Sequence, residues 1–286
     1  MSMLLNSPNF TAAWLTLSHW MQTHSHRVHT ERWQGVDVKK DRSAETNELL
    51  NVSLSVPLQR LVSLDHWRQD IQPNLPWADK HFEERVSGTA MNPGTEWANW
   101  PWGKSASGFL EGGQFNHNYM ERYWPKYAGR IPQPTANADE WSRAAHERDL
   151  WPNQGIREQV YGDLNDLVEL LAHEPLTRQA YMPIFFPEDT GIGDGGRKPC
   201  TLGYHFIQRN NQLEVVYYMR SCDFAKHLRD DIYLTVRLLI WVLDECTKRN
   251  RFWRYVAPGR LTMHITSLHI FRNDYITLFC SEEAQQ

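Results

Sequence analysis

Hydrophobic and polar positions alternate along LNVSLSVPL (50–58), and the period of two predicts a strand there. PWADKHFEERV (76–86) changes to helical spacing, with Pro76 near its start and Gly88 after its end. From Gly88 to about Gly113 the periodicity disappears into Gly, Asn, Pro and Trp, which predicts a long functional loop. A second irregular stretch covers about 129–155. Leu164, Leu167, Val168 and Leu171 fall on one face of a helix over 162–173, and YMPIFF (181–186) is a short strand. After the glycine-rich loop 187–199, LGYHFIQ and LEVVYYM bracket RNNQ as an antiparallel hairpin. A helix over 231–247 carries Leu234, Leu238, Trp241 and Val242 along one stripe. A strand over 261–272 sets Met263, Ile265, Ser267, His269 and Phe271 on one face. Strands and helices mix without βαβ alternation, so the fold class expected is α+β in a single domain over 1–286.

The chain has 286 residues, 41% of them hydrophobic, enough for a sizeable core. A net charge of −4, with no block of like charge, gives no sign of nucleic-acid or lipid binding. No apolar run approaches the roughly 18 residues that span a bilayer, so a soluble chain is expected. Four cysteines without metal spacing and no signal-like start point to reduced thiols in the cytoplasm. Thirteen tryptophans can fill a core. Trp97, Trp100 and Trp102, clustered in the irregular stretch, can equally form a flat aromatic ligand pocket.

Between two apolar elements lies MRSCDFAKHLRDDI (219–232), dense in charge where burial is expected. Arg220 ends an apolar strand and needs an anionic partner there. Cys200, at a loop–strand junction three residues after Arg197, reads as a reactive thiolate or a small buried hydrophobe. Cys222, beside Arg220 and Asp223, has the same local claim, and composition does not choose between them. GIGDGG (191–196) lacks the flanking strand and helix of a dinucleotide fingerprint. His264 and His269, five apart in a strand, face opposite ways and predict no metal site.

The order of these features resembles the thymidylate synthase family, in its pyrimidine (deoxycytidylate) hydroxymethylase branch. Pro199-Cys200 precedes a strand. Arg220-Ser221-Cys222-Asp223 follows a hairpin later. Asp231-Ile232 stands eight residues on, and His269-Ile270-Phe271-Arg272-Asn273 lies on the last strand. The match is clearest over 162–274. The resemblance implies a large mixed sheet packed with helices, and Cys200 as the nucleophile adding to C6 of a pyrimidine nucleotide. It implies 5,10-methylenetetrahydrofolate as the one-carbon donor to C5. Cys222 then falls at a variable family position. Arg220 and Ser221 would hold the 5′-phosphate, with Arg178 supplied across a homodimer. Asp223 would face the reacting centre and the folate, and His269 the sugar. Glu84, or its neighbour Glu83, would transfer protons, and Trp124 would pack on the folate unless it fills the core. The cytoplasm expected from the thiols would be the host's if the chain is phage-encoded.

Departures from the family sharpen the expectation. Asp231 stands where the family's asparagine reads the base, and an Asp suits the amine of cytosine. An ordinary N-cap of the following helix is the competing reading. Phe271 replaces a tyrosine that contacts the sugar, which leaves dCMP or CMP open. His227-Leu228-Arg229-Asp230 replaces the family's Gly-Leu-Pro-Phe beside the folate. Only fifteen residues follow Phe271, and a short tail implies a wetter site that favours a hydroxymethyl over a methyl product. The reading is a dCMP 5-hydroxymethylase. Its alternatives are a reductive dCMP methyltransferase, a relative acting on dUMP or CMP, and a nucleotide-binding homologue without turnover. A cysteine hydrolase using Cys200 with His205 or His269 has no oxyanion motif behind it.

Overall fold

A computed structural model describes residues 3–28, 32–33, 36–37, 42–58, 63–125, 162–190 and 197–280. The irregular stretch expected at 129–155 and the GIGDGG segment lie outside the described residues. The strands are β1 (Met3–Asn6), β2 (His26–Val28), β3 (Arg32–Trp33), β4 (Val36–Asp37), β5 (Thr46–Pro57), β6 (Leu110–Glu111), β7 (Gln114–Phe115), β8 (Tyr181–Pro183), β9 (Thr201–Arg209), β10 (Gln212–Asp223) and β11 (Ala257–Phe271). The helices are α1 (Phe10–His24), α2 (Leu64–Ile71), α3 (Trp77–Arg85), α4 (Gly103–Ala106), α5 (Tyr119–Tyr123), α6 (Leu164–His173), α7 (Leu228–Arg249) and α8 (Arg272–Phe279).

One 7-stranded sheet runs β1-β5-β11-β10-β9-β8, with β2 added to β5. Its β1/β5 and β10/β11 pairs are parallel and the rest antiparallel, so the expected mixed α+β sheet is present. The hairpin β9–β10 turns on Asn210 and Asn211, both left-handed (φ 52° and 57°), as a two-residue turn between twisted strands requires. Helix α7 buries Leu234, Leu238 and Val242 against the sheet, with Trp241 half-buried beside them. Burial of such side chains contributes roughly 1.5–3 kcal/mol each. A continuous cluster of buried side chains extends from Phe10 to Ile270.

Two expectations change. Helix α7 begins at Leu228, not 231, and its N-cap position is His227. Asp231 therefore lies inside the first turn, its N–H donating to the His227 carbonyl (2.8 Å), and does not cap the helix. Strand β11 does not keep one face over 263–271. Leu261, Met263 and Ile265 are buried, then Leu268 and Ile270, with Thr266 and Ser267 between them outside the core. The same two-residue interruption occurs at Leu50–Asn51 in β5 and Arg220–Ser221 in β10. These positions neighbour one another, Ser267 pairing with both Leu50 and Ser221, and Asn51 is left-handed (φ 54°). The sheet is creased across three strands at one level, as bulges crease a ladder. The crease turns Ser221 out of the core and toward the edge of a cavity.

Segment 88–113 breaks into short pieces, as its composition predicts: a 3-10 turn at Glu96–Asn99, α4, and the small β6–β7 ribbon. Glu84 on α3 ties this segment down. Its Oε1 accepts from Thr95 N (2.6 Å), Thr95 Oγ1 (2.6 Å) and Glu96 N (3.0 Å).

Candidate active site

Between the creased sheet, α7 and α3 opens a cavity of about 190 Å³. One wall comes from the loop–strand junction before β9, the end of β10 and the first turn of α7. It carries Cys200, Ser221, Asp223 and Asp231, four residues singled out in the sequence. The opposite wall is Trp77, His81 and Arg85 on α3. Trp97, Trp100 and Phe115 from the aromatic segment line it further.

Cys200 is half-buried, and Ser221 Oγ donates to its sulfur at 3.4 Å. Cys222 is fully buried in the core cluster, and its thiol donates toward Asp231 Oδ2 at 3.6 Å. Burial, with the nearby Asp231 and Asp223 charges, pushes the Cys222 thiol far above its ordinary range. A thiol kept protonated is a poor nucleophile. Both cysteines line the cavity, and Cys200 is the more accessible of the two.

Asp223 is buried at the end of β10, and its Oδ1 accepts from Ala225 N (3.0 Å) and Lys226 N (3.2 Å). Burial raises its pKa to about 6. Asp231 is raised to about 7, chiefly by burial, with the Arg85 charge opposing. At neutral pH its carboxyl populates both forms. Asp230, the next residue, is already committed: its two oxygens accept from Asn74 N and Nδ2, both at 2.8 Å. Tyr119 and Tyr217 hydroxyls meet at Thr201 Oγ1 (3.0 and 2.8 Å), a buried polar bridge beside Cys200.

Five expected site residues lie elsewhere. Arg220 is half-buried behind the cavity wall and braces the cysteine loop. Its Nε donates to Pro199 O (2.9 Å), Nη2 to Lys198 O (2.8 Å), and Nη1 to Ser221 Oγ (3.3 Å). Arg178 is exposed in a shallow cleft formed by 174–179, outside its own chain's cavity. Trp124 belongs to the core: it is buried, its indole N–H donates to Arg85 O (2.8 Å), and it does not reach the cavity. Glu84 does not line the cavity either. Burial opposes its ionisation, but the donors from His81, Thr95 and Glu96 prevail and hold it down at about 2. A carboxylate so firmly ionised is ill matched to proton exchange near neutrality. Its place is structural, anchoring the aromatic segment. His269 is half-buried near Arg220 and His227, outside the cavity lining, and burial lowers its pKa to about 4.

Sequence reasoning missed the α3 wall. Trp77, His81 and Arg85 recur at four-residue intervals and so share one helix face. That spacing was the available signal. Trp77 stacks on His81 (4.7 Å, 14°), and Trp100 stacks on His227 (5.2 Å, 21°). Trp97 and Trp100 line the cavity, and Trp100 also packs against the core cluster. Burial lowers His81 to about 4 and His227 to about 3, so both are neutral at pH 7. Arg197 reaches the cavity over the Phe109 ring (4.5 Å), with its Nε buried and unpartnered among the described residues.

Among the described residues, no group of three or more His, Cys, Asp or Glu side chains is placed to hold a metal ion. No helix among them is long and apolar enough to cross a membrane. No family model and no curated protein matches the chain, so the chemistry rests on the cavity's own residues.

Proposed function

We propose that the protein transfers a one-carbon unit from 5,10-methylenetetrahydrofolate to C5 of a cytidine nucleotide, most simply as a dCMP 5-hydroxymethylase of thymidylate synthase-like fold. The observation carrying this reading is the meeting of Cys200, Ser221, Asp223 and Asp231 on one cavity wall, from three separate elements. Cys200 adds through sulfur to C6 of the base, and the C5–C6 electron pair bonds C5 to the donor's methylene. Loss of the C5 proton to solvent then breaks the methylene–nitrogen bond and frees tetrahydrofolate. Water adds to the exocyclic methylene, and the Cys200 sulfur leaves C6. Asp231 faces the base edge, where an ionised carboxylate accepts from the cytosine amine.

The folate supplies the one-carbon unit at formaldehyde oxidation level. Trp97, Trp100 and His227 offer flat faces for its ring system, and Asp223 an acceptor for its amine edge. Arg220 shapes the phosphate end by holding Lys198 and Pro199 in place. We assign exposed Arg178 to the phosphate bound by a second copy in a homodimer.

A methyl product is the second reading, and one observation favours it. Trp97, Trp100, Phe109 and Phe115 line the cavity from the aromatic segment, and an apolar cover that excludes water favours hydride over water as the final nucleophile. Incubation with methylenetetrahydrofolate and dCMP, CMP or dUMP, followed by mass spectrometry of the product, tests both. Hydroxymethyl and methyl products differ by one oxygen. Absence of either from all three nucleotides would overturn the reading.

A further inference from the structure

Arg85 is 5% exposed, yet it makes no ion pair among the described residues. Its Nε donates to His81 Nε2 (3.0 Å), and its guanidinium lies over the Tyr119 ring at 4.2 Å. These contacts fix the plane of the guanidinium. The terminal nitrogens have no protein partner among the described residues, and they open on the cavity instead of being sealed in protein. Burying a cation without an anionic partner is costly, and among the described residues none supplies one, so the acceptor is sought in a ligand. Asp230 and Asp231 feel the Arg85 charge without closing on it to ion-pair distance. Asp230 is engaged by Asn74, which leaves Asp231 and Arg85 as the two groups across a gap.

A doubly charged phosphate fits poorly beside two carboxyls. A planar group carrying acceptors toward Arg85 and a donor toward Asp231 fits well, and a cytosine edge presents just that order: amine N4, then acceptors N3 and O2. Uracil presents O4 as an acceptor and N3–H as a donor, which meets the wrong partner at both positions.

We propose that Arg85 is a specificity-determining residue that donates to the N3/O2 side of cytosine while Asp231 accepts from its amine, so that the two together read the base. This rests on the nucleotide reading above and deepens it. His81 is the positioning residue, because its ring nitrogen accepts from Arg85 Nε and orients the fork.

Titration calorimetry without folate tests this on wild-type protein and Arg85→Gln, with dCMP, dUMP and 3-deaza-dCMP, in which a C–H replaces N3. Wild-type protein is expected to bind dCMP about tenfold or more tightly than either of the others. Arg85→Gln is expected to shrink the gap between dCMP and 3-deaza-dCMP to about twofold. Equal wild-type affinity for dCMP and 3-deaza-dCMP overturns the proposal without reference to any variant, as does a gap that survives in Arg85→Gln. Selective dCMP binding with no product in the folate assay keeps the Arg85 role and removes the one-carbon reading. Product from dCMP together with equal binding of 3-deaza-dCMP removes only the Arg85 role. Failure to bind either natural nucleotide removes both.

Discussion

The two walls of the cavity are built differently. The sheet–α7 wall carries Cys200, Ser221, Asp223 and Asp231 on the junctions of long regular elements. The facing wall places Trp77, His81 and Arg85 on nine-residue α3, and continues into the broken segment after it. The first wall fixes reacting groups to a rigid frame. The second supplies flat surfaces, the Arg85 cation, which makes no ion pair among the described residues, and a cover tied at Glu84. Substitutions on the first should therefore remove chemistry or change its substrate. Those on the second should loosen binding.

The largest expected effect separates the cysteines. Cys200→Ala is expected to abolish turnover, a loss of at least about 10⁴-fold, whereas Cys222→Ala keeps turnover within about tenfold. Product formation assayed for both variants checks this, and the reverse result would break the contrast at its root. Next, Asp231→Asn is expected to shift preference from dCMP toward dUMP by about 10–100-fold in kcat/KM. An unchanged preference would take Asp231 out of base reading.

Glu84→Ala probes the second wall. Losing a buried acceptor for two backbone N–H groups and a hydroxyl should cost about 2 kcal/mol of stability, read as a lower melting temperature. KM should rise more than kcat falls. A collapse of kcat at unchanged KM would instead restore a proton-transfer role to this carboxylate.

The smallest effect is with pH. His81, His117, His227 and His269 have pKa values lowered by burial to about 4, 3, 3 and 4. Stability from such depressed groups is complete above their unfolded value near 6.5 and is lost as pH falls toward the folded values. Asp223 and Asp231, raised to about 6 and 7, work the other way and favour the acidified protein. Four groups oppose two, so denaturant unfolding at pH 5 should show lower stability than at pH 7. Removing one opposing carboxyl in Asp231→Asn should steepen that fall.

The first wall was legible in sequence because its residues sit in contiguous words between strongly periodic elements. Even there, Asp231 was misplaced as a possible cap, since helix onset depends on the burial of Leu228, one tertiary contact away. Arg220 was read as facing an anion, and its donors turn instead to carbonyls 21 and 22 residues earlier. Such pairings form only when β10 lies against the cysteine loop. The second wall was far less legible. Short α3 has a weak apolar pattern, and two of its three cavity-facing residues are a histidine and an arginine, which composition assigns to solvent. Trp97 and Trp100 are visible as a cluster, while the ring partners of Trp100, Trp77 and His227, come from other elements of the chain.

The crease across β5, β11 and β10 bears on which insertions and deletions the chain can survive. Each strand changes its inward parity over the same two-residue step, at Leu50–Asn51, Thr266–Ser267 and Arg220–Ser221. Removing a single residue at Thr266 would move Leu268 and Ile270 outward and turn His269 and Phe271 into the core. The neighbouring strands would still carry the old step. Length changes at this level are therefore collective, tolerable only if all three strands shift together, and lineages should vary in their loops long before they vary here.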